Sequence, residues 1–167
     1  SDYNTNNFRS IVYYNGYLYA VDRKANRYKS TTQITVENNF NIGDLSQSAS
    51  WEKINNVSAT GEVYINNLTV LPDGFAGVGI YFAFTMSGNR LCYISLTDFE
   101  DENLAIYTTF GLNLNGNIIE DAKTGMSTFA SGTTFRGEII DKLIFFGNYL
   151  WAQHSYSISY KNASNGI

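Results

Sequence analysis

The 167 residues suffice for one sizeable core, and the whole span 1–167 reads as a single domain. A net charge of −4, with no Lys/Arg cluster among the aromatics, lacks the electrostatic footprint of a nucleic-acid binder. A single cysteine excludes an internal disulfide framework, and no apolar run of about 18 residues offers a membrane-spanning helix.

Composition sets the class. The chain carries 13 Tyr, 11 Phe and 2 Trp, together with 20 Asn and 14 Gly. Tyr, Phe and Thr suit a pleated, half-buried surface, whereas Asn and Gly suit the turns between strands. An all-β fold is expected, as an antiparallel β-sandwich of jelly-roll-like character.

In chain order, the first element is a hairpin. Residues 11–14, then Asn15-Gly16, then residues 17–21 give the signature of a two-residue type I′ turn. Tyr14 then opposes Tyr17 and Val12 opposes Tyr19, so one face of this hairpin is rich in tyrosine. The phrase from Asn15 to Asp22 looks like a propeller-blade strand, but it occurs once, and one blade cannot bury its own faces. Pro72-Asp73-Gly74 marks a break. The three-residue loop Ser87-Gly88-Asn89 joins two strands whose register places Met86, Phe84, Phe82 and Ile80 opposite Arg90, Cys92, Ile94 and Leu96. Their shared face is the expected central core, with Tyr81, Ala83, Tyr93 and Ser95 on the other side.

The acidic run Asp98-Phe99-Glu100-Asp101-Glu102-Asn103 lacks the spacing and central glycine of an EF-hand and reads as a solvated loop. Asn115-Gly116 signals a further hairpin, and residues 120–126 offer at most one helical turn. Gly147-Asn148 fits a type II′ turn, pairing Ile144 and Phe146 with Trp151 and Tyr149. Residues 149–160 then alternate as one long strand, with Leu150, Ala152 and His154 inward and Tyr149, Trp151 and Gln153 outward. Near its turn this hairpin is apolar on both faces, as expected of a segment covered by the fold or by another subunit.

The reactive groups give little support to catalysis. Nucleophilic hydrolysis needs a base beside Ser or Cys, yet the only histidine, His154, and the only cysteine, Cys92, are both expected in the core. One His and one Cys make half a zinc ligand set at best, so no metal site and no cofactor are expected. The carboxylates Glu62, Asp73, Glu120, Asp121, Glu138 and Asp141 are scattered, with no motif pairing two for glycoside hydrolysis. No glycine-rich phosphate loop follows a strand. Three Asn-X-Ser/Thr matches, at Asn56, Asn67 and Asn162, are expected by chance in so Asn-rich a chain.

Flat rings beside amides remain. Sugars present apolar C–H faces ringed by hydroxyls, which aromatic rings and Asn or Gln side chains match. The candidate carbohydrate-binding residues are therefore Trp151 with Tyr149, Gln153 and Asn148, and Trp51 with Tyr14, Tyr17 and Tyr19.

In this character the chain resembles the carbohydrate-binding, receptor-recognition domains of bacteriophage tails and baseplates, which are all-β and rich in Tyr, Asn, Gly and Thr. Residues 61–70, GEVYINNLTV, also look like the closing strand of jelly-roll carbohydrate-binding modules, although nearly a hundred residues follow here and Asn66 replaces the usual acid. The resemblance implies a non-catalytic saccharide-binding module of a host-attachment device, located on the virion or outside the cell. Its partners would be a saccharide and other tail or baseplate subunits or further copies of the chain. A structural tail or fibre domain whose aromatics form an interface is the first alternative, and a glycan-degrading fragment the second. The start at Ser1 rather than Met reads as that of a processed or excised piece.

Overall fold

The computed structural model describes residues 7–33, 47, 50–56, 64–86, 90–104, 120–121, 126–128, 140–154 and 158–161. Among these residues the fold is all-β and antiparallel, arranged in three sheets.

The first sheet is an up-and-down meander of β1 (Phe8–Tyr14), β2 (Tyr17–Asp22), β3 (Arg27–Ser30) and β4 (Trp51–Lys53) in that order. The expected hairpin opens it, with Tyr14 opposite Tyr17 and Val12 opposite Tyr19. Asn15 (φ 49°) and Gly16 (φ 86°) both take positive φ, as a type I′ turn requires.

The second sheet orders β5 (Ile65–Leu71), β6 (Tyr81–Met86), β7 (Arg90–Ser95), β9 (Met126–Thr128) and β8 (Glu120–Asp121). Its β6–β7 register is the one read from the sequence, pairing Met86 with Arg90, Phe84 with Cys92 and Phe82 with Ile94. The chain leaves β7 in a single helical turn, α1 (Leu96–Phe99), capped by the Ser95 hydroxyl accepting from the Asp98 amide at 3.0 Å. Residues 120–121 and 126–128, where the sequence offers at most one helical turn, are strands, because β9 finds a partner in β7. The Asn115-Gly116 hairpin lies outside the described residues.

The third sheet comprises β10 (Ile140–Phe146), β11 (Tyr149–His154) and β12 (Ile158–Lys161). Two readings change here. Gly147 (φ 61°) and Asn148 (φ 69°) both lie at positive φ, so the turn is type I′ rather than II′. The expected long strand over 149–160 is two strands folded back on each other, pairing Trp151 with Tyr160 and Gln153 with Ile158.

The sheets pack in layers because the second is apolar on both faces. Phe82, Phe84, Cys92 and Ile94 join Tyr19 and Val21 of the first sheet in the largest core cluster. Ala83 and Tyr93 point the other way and pack with Leu143, Leu150 and Ala152 of the third sheet. Cys92 is buried, as expected. In β5 a bulge between Asn66 and Thr69 shifts the alternation by one residue. Asn67 takes φ 62° there, Ile65 and Leu68 both meet the first sheet, and Leu71 meets the third.

A buried arginine ties the first sheet to α1. Arg27 is fully buried, and its guanidinium donates to the carbonyls of Asp98 (2.9 Å), Phe99 (2.6 Å), Asp101 (3.1 Å) and Leu104. Burial pulls its pKa down to about 10, which leaves it charged at neutral pH. The acidic run is therefore a backbone cage for Arg27 with Phe99 buried at its centre, and not simply a solvated loop. The run's sequence shows its carboxylates; the part that folds is its carbonyls.

Candidate functional site

The outer face of the β10–β11 hairpin gathers one of the two predicted ring groups. Period-two alternation sends Leu143, Phe145, Leu150 and Ala152 inward against the second sheet. Ile144 must then point outward opposite Trp151, Phe146 opposite Tyr149, and Lys142 opposite Gln153. Lys142, Ile144, Phe146, Trp151 and Gln153 line a shallow groove of about 290 Å³.

The rings are held, not loose. The Trp151 indole Nε1–H donates to the Phe146 carbonyl at 2.9 Å, and Tyr149 meets the indole edge-on at 5.8 Å between centroids. Trp151 is half-buried by these neighbours, yet Phe146 is 73 % exposed and Ile144 52 %. Burying a side chain of this size stabilises by about 1.5–3 kcal/mol, a gain both leave unclaimed. Among the described residues Lys142 is the only charged side chain of the lining and Gln153 the only amide; Asn148 lies exposed at the turn.

The second predicted group is not brought together on a surface. Trp51 is 3 % exposed, packed with Ala20 and Tyr28 and met edge-on by Phe8 at 4.9 Å. Its indole is a core element and cannot stack on a sugar. Tyr14, Tyr17 and Tyr19 face the second sheet rather than water. The Tyr19 hydroxyl donates to Glu100 Oε1 at 2.7 Å, while Lys29 bridges to Glu100 at 3.5 Å and lies over the Tyr17 ring at 4.2 Å. Burial, reinforced by Glu100, raises the Tyr19 pKa well above its ordinary 10. Alternation correctly separated the two faces of this hairpin, but the tyrosine-rich one is inward. Ile11 and Tyr13, on the opposite face, are the exposed pair.

Three lining residues were missing from the sequence-derived site. Ile144 and Phe146 were legible as cross-turn partners of Trp151 and Tyr149, but as apolar residues awaiting cover. Lys142 was not singled out, although counting back across the turn places it opposite Gln153.

Several of the described carboxylates already accept hydrogen bonds within the fold. Asp22 accepts from the Lys24 and Asn26 amides (both 2.9 Å), the Asn26 side chain (3.0 Å) and the Tyr28 hydroxyl (2.8 Å). Asp73 accepts from the Gly79 amide at 2.7 Å, and Asp141 is exposed. Glu62, Glu138 and the side chains of Glu120, Asp121 and His154 lie outside the described residues. Among the described residues, no group of three or more His, Cys, Asp or Glu side chains is placed to hold a metal ion. None of their helices is long and apolar enough to cross a membrane.

Comparison with known proteins found no matching family model, curated protein or solved structure.

Proposed function

We propose that the chain is a non-catalytic saccharide-binding module, and that the outer face of β10–β11 is its binding surface. The observation that carries this reading is the exposed aromatic groove in which Trp151, Phe146 and Ile144 stand beside one amide and one ammonium. A pyranose ring lying along the groove stacks its C–H face on these apolar side chains, and Gln153 meets its hydroxyls. Glycoside hydrolysis requires two carboxylates, and among the described residues the lining holds none, which favours binding over cleavage. The phage tail or baseplate setting rests on the resemblance in composition. There, several copies of a weak site raise avidity without new contacts.

A glycan array followed by titration of the hits tests the reading. The chain retains at least one saccharide class, and Trp151→Ala lowers its affinity at least tenfold without unfolding the protein. A silent array, or binding unaffected by Trp151→Ala, would overturn it.

The 73 % exposure of Phe146 also favours a second reading, in which this face joins subunits. A stable oligomer by solution mass, dissociated by Phe146→Ser, would select it.

A further inference from the structure

We infer that the saccharide recognised at this face carries a carboxylate on its ring. This inference rests on the binding role proposed above and deepens it. Lys142 and Gln153 are direct cross-strand partners, so their Cβ atoms lie about 4.5–5.5 Å apart on the groove side of the hairpin. An ammonium and an amide N–H₂ side by side offer two donors, matching the two oxygens of one carboxylate. The partners two residues along, Ile144 and Trp151, provide the apolar floor, and the diagonal from Lys142 to Trp151 is about 7–8 Å.

Charge complementarity selects the acid. Although the whole chain carries −4, Lys142 is the only charged residue of the lining among the described residues. The nearest acid in sequence is Asp141, the extra residue where the register shifts between Ile140 and Lys142; it is exposed and takes no part in the lining. A single ammonium with one amide suits a singly charged carboxylate better than a phosphate, whose higher charge and three oxygens call for more donors.

The experiment uses matched trios of oligosaccharides in the gluco, galacto and manno series: the neutral sugar, its uronate and its 6-phosphate. Each is titrated against the chain by calorimetry. The uronate of at least one series binds roughly fivefold tighter than its neutral counterpart, the scale of one exposed ion pair. That preference shrinks as salt is raised. Lys142→Gln removes the preference, Lys142→Arg keeps it, and the exposed Lys24→Gln elsewhere on the surface does not alter it. Equal or better binding of the neutral sugar, or a preference for the phosphate, would overturn the inference while leaving saccharide binding intact. A uronate preference that survives Lys142→Gln would do the same. Silence of every trio member would count against both the inference and the binding role.

Discussion

The two tryptophans carry opposite duties, and their surroundings say so. Trp51 is enclosed by Phe8, Tyr28 and Ala20, so Trp51→Ala removes core packing and costs about 3–5 kcal/mol in a denaturant titration. Trp151 is half in water, so its removal costs only about 1 kcal/mol, much of it the bond to the Phe146 carbonyl. Alternation separates them in outline, since Trp151 lies between the inward Leu150 and Ala152 and Trp51 between the polar Ser50 and Glu52; what completes the cover of Trp51 is the ring of Phe8 arriving from β1. Tyr19 shows how a surface-looking tyrosine becomes structural. Its folded pKa is raised, so the neutral phenol it stabilises contributes fully below pH 10, the ordinary value, and is lost as pH climbs further. Wild type is therefore more stable than Tyr19→Phe by about 1 kcal/mol at pH 7, and this advantage disappears in alkaline unfolding curves above pH 10.

Hairpins were the most legible elements, and their physics explains which details were not. Asn15-Gly16 and Gly147-Asn148 both announce two-residue turns, and both registers follow from counting outward. The turn type at Gly147-Asn148 escaped because asparagine, unlike most residues, tolerates positive φ, so Gly-first did not force type II′. The split between β11 and β12 escaped for a different reason. Ser155-Tyr156-Ser157 contains neither Gly, Pro nor Asn, so alternation ran through it unbroken. These turns differ in tolerance. A Cβ on Gly16 would lie 2.6 Å from the Gln33 side chain at φ +86°, whereas one on Gly147 meets nothing within 4 Å at φ +61°. Gly16→Ala accordingly lowers the unfolding midpoint more than Gly147→Ala, for which the left-handed backbone alone costs about 1 kcal/mol.

At the scale of the molecule, layering determines what is available for function. Sequence alternation marked the Phe82/Phe84/Cys92/Ile94 face as core, and it is. It did not show that Ala83 and Tyr93 are also covered, because that depends on where the third sheet docks some fifty residues later in the chain. Burial of the central sheet on both faces makes it the last place to open. Cys92 lies there at 0 % exposure, so a thiol reagent labels it only through global unfolding, with a rate that follows denaturant stability. Rapid labelling in native buffer would mean the central sheet opens locally. The same docking that hides Leu143, Leu150 and Ala152 turns Ile144, Phe146 and Trp151 outward, so one choice of face creates both the core and the candidate site.

The most direct test follows the two indole N–H resonances by NMR while a saccharide is added. Once a binding glycan is in hand, the Trp151 resonance shifts with ligand concentration and that of Trp51 stays in place, since one indole edges the groove and the other is sealed beneath Phe8. A glycan that binds yet leaves Trp151 unmoved would show that recognition happens elsewhere on the molecule.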